Sequence, residues 1–244
     1  IDLISNLPNQ NITLSLEGSE IIVSTEDYTT KLHTLPAEDF PLIPTVESLW
    51  SATLSAPEFK QSLEQVIFAT ALSESQPVLS GVSFTAKDKE VIFAATDSFR
   101  LAEKKLVTKN TTGSRDAVIP HRTAVEISRL IGPADSEVNI ALADNQMAVS
   151  VGSVELVSRL IDGQYLDYHQ IFPTEFETIV SVDRQQFVNA LKTSSIFSKL
   201  GNSVLFKFSP ETKSLILSSS SQDIGESQVT LLGEVSGPEG QVLL

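Results

Sequence analysis

The chain contains no cysteine among its 244 residues, and it has only one Met, one Trp and three His. Without thiols, neither disulfide bonds nor thiolate chemistry can stabilise or power the protein, which favours a reducing compartment. No apolar run approaches the roughly 18 residues of a membrane span, and the amino terminus lacks the basic and then apolar pattern of a signal peptide. These absences predict a soluble, cytoplasmic protein with no membrane partner.

Basic residues are also scarce, because 17 Lys and Arg stand against 31 Asp and Glu, which gives a net charge of −14. Affinity for nucleic acid comes largely from Lys and Arg that neutralise phosphates, so this balance argues against an ordinary nucleic-acid-binding surface. Taken alone, the charge favours protein partners. A role on DNA would need localised basic residues or a topological mode of binding.

Residues that could form a catalytic or metal site are few and dispersed. The three histidines, His33, His121 and His169, lie far apart and lack metal-ligand spacing, so surface positions are the better interpretation. Asp162 and Asp167 could form a carboxylate pair, but acid-base catalysis needs burial or a tuned partner, and a loop role is favoured. We therefore expect no catalysis, no metal and no cofactor.

The chain resembles itself at a nearly fixed offset, which indicates structural repeats. An alternating strand pattern returns 126 residues later and a helical pattern 128 residues later. The strand positions are Ile12, Leu14, Leu16 and Val23, matched by Val138, Ile140, Leu142 and Val149. The helix positions are Phe59, Leu63 and Phe68, matched by Phe187, Leu191 and Ile196.

Both helical segments begin alike, since Ser55 precedes Glu58 by three residues and Asp183 precedes Gln186 in the same way. In this arrangement the first side chain accepts a backbone N–H bond at the helix start, and the second reaches back. A second helix is predicted over 121–131, before a Gly-Pro stop signal. The β-rich runs that follow the first helices are 81–86 and 91–95 in one copy, and 203–208 and 214–218 in the other.

The pattern predicts an α+β fold in which each repeat contains a helix, several strands, a second helix and further strands. Residues 1–50 are predicted to be the end of one repeat, 51–178 a complete repeat and 179–244 the first half of a third repeat. The offset aligns the second helix with residues 1–4, so the chain is predicted to begin inside a helix. Roughly 76 residues would be missing in front and roughly 58 behind.

Three local motifs now carry a resemblance to a known family. They are Thr34-Leu35-Pro36-Ala37-Glu38-Asp39-Phe40-Pro41, Ala95-Thr96-Asp97-Ser98-Phe99-Arg100-Leu101-Ala102 and Asp162-Gly163-Gln164-Tyr165-Leu166-Asp167-Tyr168. Each is short, but their order and separation on the repeat make the match specific. Together they resemble the β subunit of bacterial DNA polymerase III, the β sliding clamps, over essentially the whole chain.

The resemblance implies a DNA-clamp fold, in which modules of two helices and two antiparallel sheets form an arc that is half of a ring. Two full-length subunits would close head to tail around duplex DNA, with helices inside. The clamp loader, the replicative polymerase and other proteins that carry a clamp-binding peptide would be its partners. Such a protein confers processivity on DNA replication and has no catalysis of its own.

The predicted helices carry six Lys or Arg residues against three Glu residues, although the whole chain is acidic. On the second helix, Arg122, Glu126 and Arg129 share one stripe opposite an apolar face. A solubilising surface stripe is the alternative interpretation without the resemblance. With it, a DNA-facing role is favoured for Lys60, His121, Arg122, Arg129, Arg184, Lys192 and Lys199.

In the family, partners insert a hydrophobic peptide between the second and third domains. Carried over by motif, the groove would use Leu79, Thr96, Ser98, Phe99, Arg100, Leu101, Leu166, Gln170 and Ile171. Apolar members would bury the peptide, and Thr96 and Arg100 would fix its polar groups. Ser98, Phe99 and Leu166 depart from the family pattern, where Gly, a polar residue and Pro are usual.

Each of these assignments has a structural alternative. Residues 97–100 could form an ordinary turn with an exposed ion pair, and Leu79, Leu101 and Ile171 could simply pack in a core. Leu32, Ile196 and Phe197 resemble residues of the subunit interface, but each could instead belong to the core of one domain.

Two rival functions remain open from sequence. An acidic, repeat-built interaction scaffold with no DNA role would lack a basic concave face. A carbohydrate hydrolase, the weaker rival, would bring two carboxylates together in a cleft.

Overall fold

The computed structural model describes residues 2–7, 9–40, 46–73, 76–108, 113–198 and 203–244. The chain divides into two compact units, residues 1–166 and 167–244, here called unit 1 and unit 2. The domain boundaries predicted from the repeat remain a prediction.

Unit 1 begins with a short helix, α1 (Asp2–Ser5), and a three-stranded antiparallel meander. Its strands are β1 (Thr13–Glu17), β2 (Glu20–Ser24) and β3 (Thr29–His33), in that order across the sheet. A tight turn joins β1 to β2, and Gly18 occupies it with φ +60°. That backbone conformation favours glycine, so the residue fits the tight connection.

The rest of unit 1 consists of two successive β-α-β-β-β motifs. The first contains β4 (Trp50–Ser55), α2 (Ala56–Glu64), β5 (Gly81–Lys87), β6 (Glu90–Thr96) and β7 (Leu101–Val107). The second contains β8 (Arg115–Pro120), α3 (His121–Leu130), β9 (Glu137–Leu142), β10 (Gln146–Val151) and β11 (Val154–Arg159). These bounds confirm the predicted alternation of helix and strands.

The two motifs exchange their first strands. One sheet has the order β7-β6-β5-β8, and the other has the order β11-β10-β9-β4. Each sheet therefore takes three strands from one motif and the fourth from the other. The motifs cannot separate without breaking both sheets, because every edge exchange is a full antiparallel ladder.

One apolar core joins helices α2 and α3 to the two four-stranded sheets of unit 1. Trp50, Phe84, Phe93 and Phe59 form a chain of aromatic contacts, with ring centroids 5.3, 5.4 and 5.5 Å apart in that order. Edge-to-face pairs of this kind add about 0.5–1.5 kcal/mol each beyond the area they bury. All four rings are buried, so this chain of contacts fixes the sheets against α2.

Helices α2 and α3 lie against each other and are also joined by two polar contacts. The Lys60 ammonium donates to the carbonyl oxygen of Ile131 at 2.8 Å, at the carboxyl end of α3. The Ser128 hydroxyl donates to the Glu64 carboxylate at 3.0 Å. Ala124 and Ile127 are fully buried, which confirms the predicted apolar face of α3.

Unit 2 repeats the first motif. Its elements are β12 (Ile179–Val182), α4 (Arg184–Phe197), β13 (Leu205–Ser209), β14 (Ser214–Ser221), β15 (Gly225–Ser236) and β16 (Gly240–Leu243). The strands β15-β14-β13-β16 follow the same order as β7-β6-β5-β8, with β12 added beside β15. The internal repeat inferred from the sequence is therefore present in the topology.

The two predicted helix caps differ in the structure. The Asp183 carboxylate accepts the backbone N–H of Gln186 at 2.8 Å, as predicted. The prediction for Ser55 is wrong, since its side chain makes no capping bond. Ser55 is the last residue of β4, and the next backbone N–H, of Ala56, donates to the carbonyl of Ser136, so strand pairing sets this helix start instead.

The longest described helix, α4, has 14 residues. None of the described helices combines the length and the apolar character that a bilayer-spanning segment requires.

Candidate peptide-binding site

The turn between β6 and β7, residues 96–101, is held by a compact set of hydrogen bonds. The Thr96 hydroxyl donates to the Arg100 carbonyl at 2.7 Å and accepts the Ser98 N–H at 3.1 Å. One carboxylate oxygen of Asp97 accepts the backbone N–H groups of Phe99 and Arg100, both at 3.0 Å. These four hydrogen bonds within the turn restrain its backbone before any partner arrives.

This network changes the role expected of Thr96. The side chain is buried, and its hydroxyl is engaged with the turn itself. Thr96 therefore stabilises the turn. Its hydroxyl hydrogen is already donated to the Arg100 carbonyl and would have to leave it to bind a peptide.

Ser98 adopts a left-handed backbone conformation with φ +75°. A residue with a Cβ is strained there, whereas glycine is not. Beside it, Phe99 is 97% exposed. The turn consequently displays an aromatic ring to solvent from a backbone that is already ordered.

Asp97 and Arg100 form the exposed ion pair that sequence reasoning offered as an alternative, with Nε 3.0 Å from the carboxylate. Desolvation raises the pKa of Asp97, but the N–H groups of Phe99 and Arg100 and the Arg100 charge together lower the pKa by more. The pKa of Asp97 therefore lies below its usual value. The Arg100 guanidinium also lies over the ring of Phe68, 5.6 Å from the ring centroid.

Tyr165 contacts the 96–101 turn, although its place in the third motif predicted no role for it. Its hydroxyl oxygen accepts the backbone N–H of Thr96 at 3.1 Å, across 69 residues of sequence. Burial raises the pKa of the Tyr165 hydroxyl, and the Thr96 N–H opposes that rise. A hydrogen bond between distant residues leaves no periodic pattern in the sequence. The presence of Tyr165 in the third motif was therefore the only sign of this contact.

The apolar candidates of unit 1 differ in exposure. Leu79 is buried, within a 3-10 turn over Pro77–Ser80, so core packing accounts for much of its role. Leu101 and Leu166 are half-buried and keep apolar surface in contact with solvent. Apolar surface is therefore accessible at these two leucines, whereas little of Leu79 is accessible.

Two candidates lie in unit 2, on the 3-10 turn Tyr168–Ile171. Ile171 is 68% exposed. Gln170 is exposed and donates through its side-chain amide to Asp167 at 2.8 Å. Tyr168 is buried against Phe172, with ring centroids 6.0 Å apart, which anchors this turn in unit 2.

The candidate DNA-facing cations occupy the helices and their termini. His121 is half-buried, with Nδ1 2.7 Å from the Thr70 hydroxyl. Arg129 forms an ion pair with Glu126 at 3.0 Å, and Lys60 caps α3 as described above. Arg122, Arg184 and Lys192 are exposed, and Lys199 lies outside the described residues.

The candidate interface residues are at least partly accessible. Leu32 is 43% exposed on β3 and Ile196 is 51% exposed on α4, while Phe197 is half-buried. Leu32 and Ile196 are therefore not core residues within the described part of the chain, and that alternative fails for them.

The groups considered for catalysis are dispersed. His33 is 89% exposed beside Glu20, and Asp162 and Asp167 are both exposed. Within the described ranges, no three potential metal-ligating side chains form a group that could hold an ion.

Comparison with known proteins bears on the family and the fold of the chain. Residues 53–167 match the family model for the DNA polymerase III beta subunit, central domain. The beta sliding clamp of Staphylococcus aureus is 31% identical over 226 residues, which is 92% of this chain and 60% of that protein. The chain therefore spans about 60% of the length of the curated relatives it matches.

Solved structures give the same result for the fold. A DNA polymerase sliding clamp from Bacillus subtilis matches with a TM-score of 0.92 at 25% identity, covering 100% of this chain and 65% of that one. The DNA polymerase III beta subunit from Thermotoga maritima matches with a TM-score of 0.87 at 25% identity, covering 99% and 66%. The chain belongs to the bacterial DNA polymerase III beta subunit family, the beta sliding clamps.

Proposed function

We propose that this chain is part of a sliding clamp that encircles duplex DNA and tethers the replicative polymerase and other partners, without catalysis of its own. The observation that carries the proposal is the match to beta sliding clamps along 92% of the chain. The clamp would act in the bacterial cytoplasm as a homodimer of full-length subunits, and it would need no cofactor.

The net charge of the chain supports a mode of DNA binding in which the protein encircles the duplex. A chain with a net charge of −14 cannot hold DNA through its surface as a whole, whereas a closed ring needs only weak, sequence-independent phosphate contacts. Arg122 and Arg184 are exposed on α3 and α4 and could supply such contacts. An acidic scaffold without a DNA role offers no reason for six basic residues to collect on the helical segments.

The 96–101 turn supports the partner role. It combines a rigid backbone, an exposed aromatic ring at Phe99 and apolar surface at Leu101, which are the features of a preformed site for a hydrophobic peptide. We propose that Leu166 completes this site within unit 1, with Arg100 as its polar anchor. Gln170 and Ile171, which belong to unit 2, stay proposed as partner-binding residues in their own right.

A reciprocal pair of variants tests both roles in a full-length protein that contains this chain. Leu101→Asp should weaken binding of a clamp-binding peptide by more than about 1.4 kcal/mol, roughly tenfold, since a charge replaces a contacting apolar side chain. Replacing Arg122 and Arg129 with Glu should instead reduce loading onto DNA in a salt-dependent way. Peptide affinity is measured by fluorescence anisotropy, and loading by retention on nicked circular DNA.

Each variant is the control for the other. Leu101→Asp should retain DNA loading, and the arginine variant should retain peptide affinity. Unchanged peptide affinity in Leu101→Asp would mean that the site is misplaced, and no retention of the wild-type protein on circular DNA would refute the clamp.

A further inference from the structure

Phe68 is an exposed aromatic residue in a segment whose neighbouring residues are buried. It lies in the 3-10 turn Ile67–Ala69, directly after α2, and is 58% exposed. The backbone around it is fixed, because Ala69 is fully buried and the buried Thr70 donates its hydroxyl to the carbonyl of Ile67 at 2.9 Å. The ring is therefore presented at a defined place even though it contributes little to the core.

The ring has a single notable neighbour among the described contacts, the guanidinium of Arg100, 5.6 Å from its centroid. Arg100 is also bound by Asp97, with Nε 3.0 Å from the carboxylate. A long side chain that is free in solution loses rotamer entropy when it binds a ligand. Contacts with both Phe68 and Asp97 restrict the rotamers of Arg100 before a ligand binds. The guanidinium is therefore already oriented for an acceptor.

We infer that Phe68 is a positioning residue for partner binding, which acts by holding Arg100 in the orientation that receives a polar acceptor of the peptide. This inference rests on the proposed function. The acceptor would be a backbone carbonyl or a carboxylate of the peptide, because a guanidinium donates to both. Phe68 thus extends the proposed site to a residue that the motifs did not include.

The test is peptide affinity in variants of Phe68, with a labelled clamp-binding peptide from the replicative polymerase of the same genome as probe. Phe68→Leu keeps an apolar side chain but removes the aromatic face, and affinity should fall about threefold, the scale of one exposed cation–π contact. Phe68→Tyr keeps the face and should retain wild-type affinity. Phe40→Leu, at an exposed phenylalanine outside the turn, is the matched control and should have no effect.

A double-mutant cycle decides whether Phe68 acts through Arg100. In an Arg100→Gln background, Phe68→Leu should cause no further loss, because the group that it positions is gone. Thermal unfolding followed by Trp50 fluorescence should be unchanged in Phe68→Leu, since that ring lies outside the buried core.

The outcomes separate the two hypotheses. If Leu101→Asp weakens binding as expected, the positioning role would be overturned by a Phe68→Leu loss that persists in the Arg100→Gln background, or by no loss in the wild-type background. If the wild-type protein binds no peptide, or if Leu101→Asp binds as well as wild type, the proposed site itself is wrong and this inference falls with it.

Discussion

Replacing Tyr165 with Phe should weaken unit 1 by removing one hydrogen-bond acceptor while keeping the ring. In the structure the Tyr165 hydroxyl oxygen accepts the Thr96 N–H at 3.1 Å, and Thr96 is 6% exposed. A buried donor left without a partner costs about 1–3 kcal/mol. We expect about 1–2 kcal/mol here, the lower part of that range, because Tyr165 is only half-buried and water can approach the site.

The assay uses the single tryptophan of the chain as a reporter. Trp50 is 2% exposed in the core of unit 1, so its fluorescence reports unfolding of that unit. The expected change corresponds to a Tm lower by about 3–6 °C for a unit of this size. Tyr28→Phe, at a tyrosine that is 51% exposed, is the matched control and should change the free energy of unfolding very little.

The pH dependence provides a second measurement of the same contact. Burial raises the pKa of Tyr165, so folding favours the protonated hydroxyl. The contribution of the Tyr165 hydroxyl to the free energy of unfolding is fully present below the usual tyrosine pKa of about 10. It is lost as the pH rises above that value. The difference in stability between wild type and Tyr165→Phe should therefore narrow above about pH 10. If Tyr165→Phe unfolds like the Tyr28→Phe control at neutral pH, the hydrogen bond does not stabilise the turn as argued.

Two further changes test the local backbone. Ser98→Gly should stabilise the chain by about 0.5–1 kcal/mol in urea unfolding, because φ +75° strains a residue with a Cβ; a destabilised variant would show that the side chain has a compensating contact. Asp183→Ala should cost about 1 kcal/mol of helix stability by circular dichroism, since its carboxylate caps α4, whereas Ser55→Ala should cost almost nothing. Equal losses in these two variants would contradict the difference between the two helix starts.

Much of the fold could be predicted from the sequence because its signals are local. Strand and helix periodicities depend on which side chains alternate or recur every three to four residues, and burial of Phe59, Leu63 and Ile127 follows from them. The repeat then extended one local interpretation to a second copy, which the strand order of unit 2 confirms. The turn at 97–100 was also recognisable, since Asp and Ser favour turns through their own side chains.

Contacts that depend on distant segments could not be predicted in this way. The exchange of β4 and β8 between the two four-stranded sheets of unit 1 joins residues far apart in sequence, and the strand patterns are compatible with either partner. The same limit explains the wrong prediction for Ser55, whose place at the end of a paired strand overrides its preference as a cap. Local sequence preference ranks the choices, but pairing with a distant strand decides among them.

The candidate site likewise has features that the sequence shows and contacts that only the fold creates. The sequence alone determined its motif residues, the net charge of −14 and the absence of thiol chemistry. Only the tertiary structure decided that Tyr165 supports Thr96, that Phe68 lies beneath Arg100 and that Lys60 caps α3. Each of these contacts joins side chains whose positions are set by core packing, and hydrogen bonds between distant residues impose no periodicity on the chain that makes them.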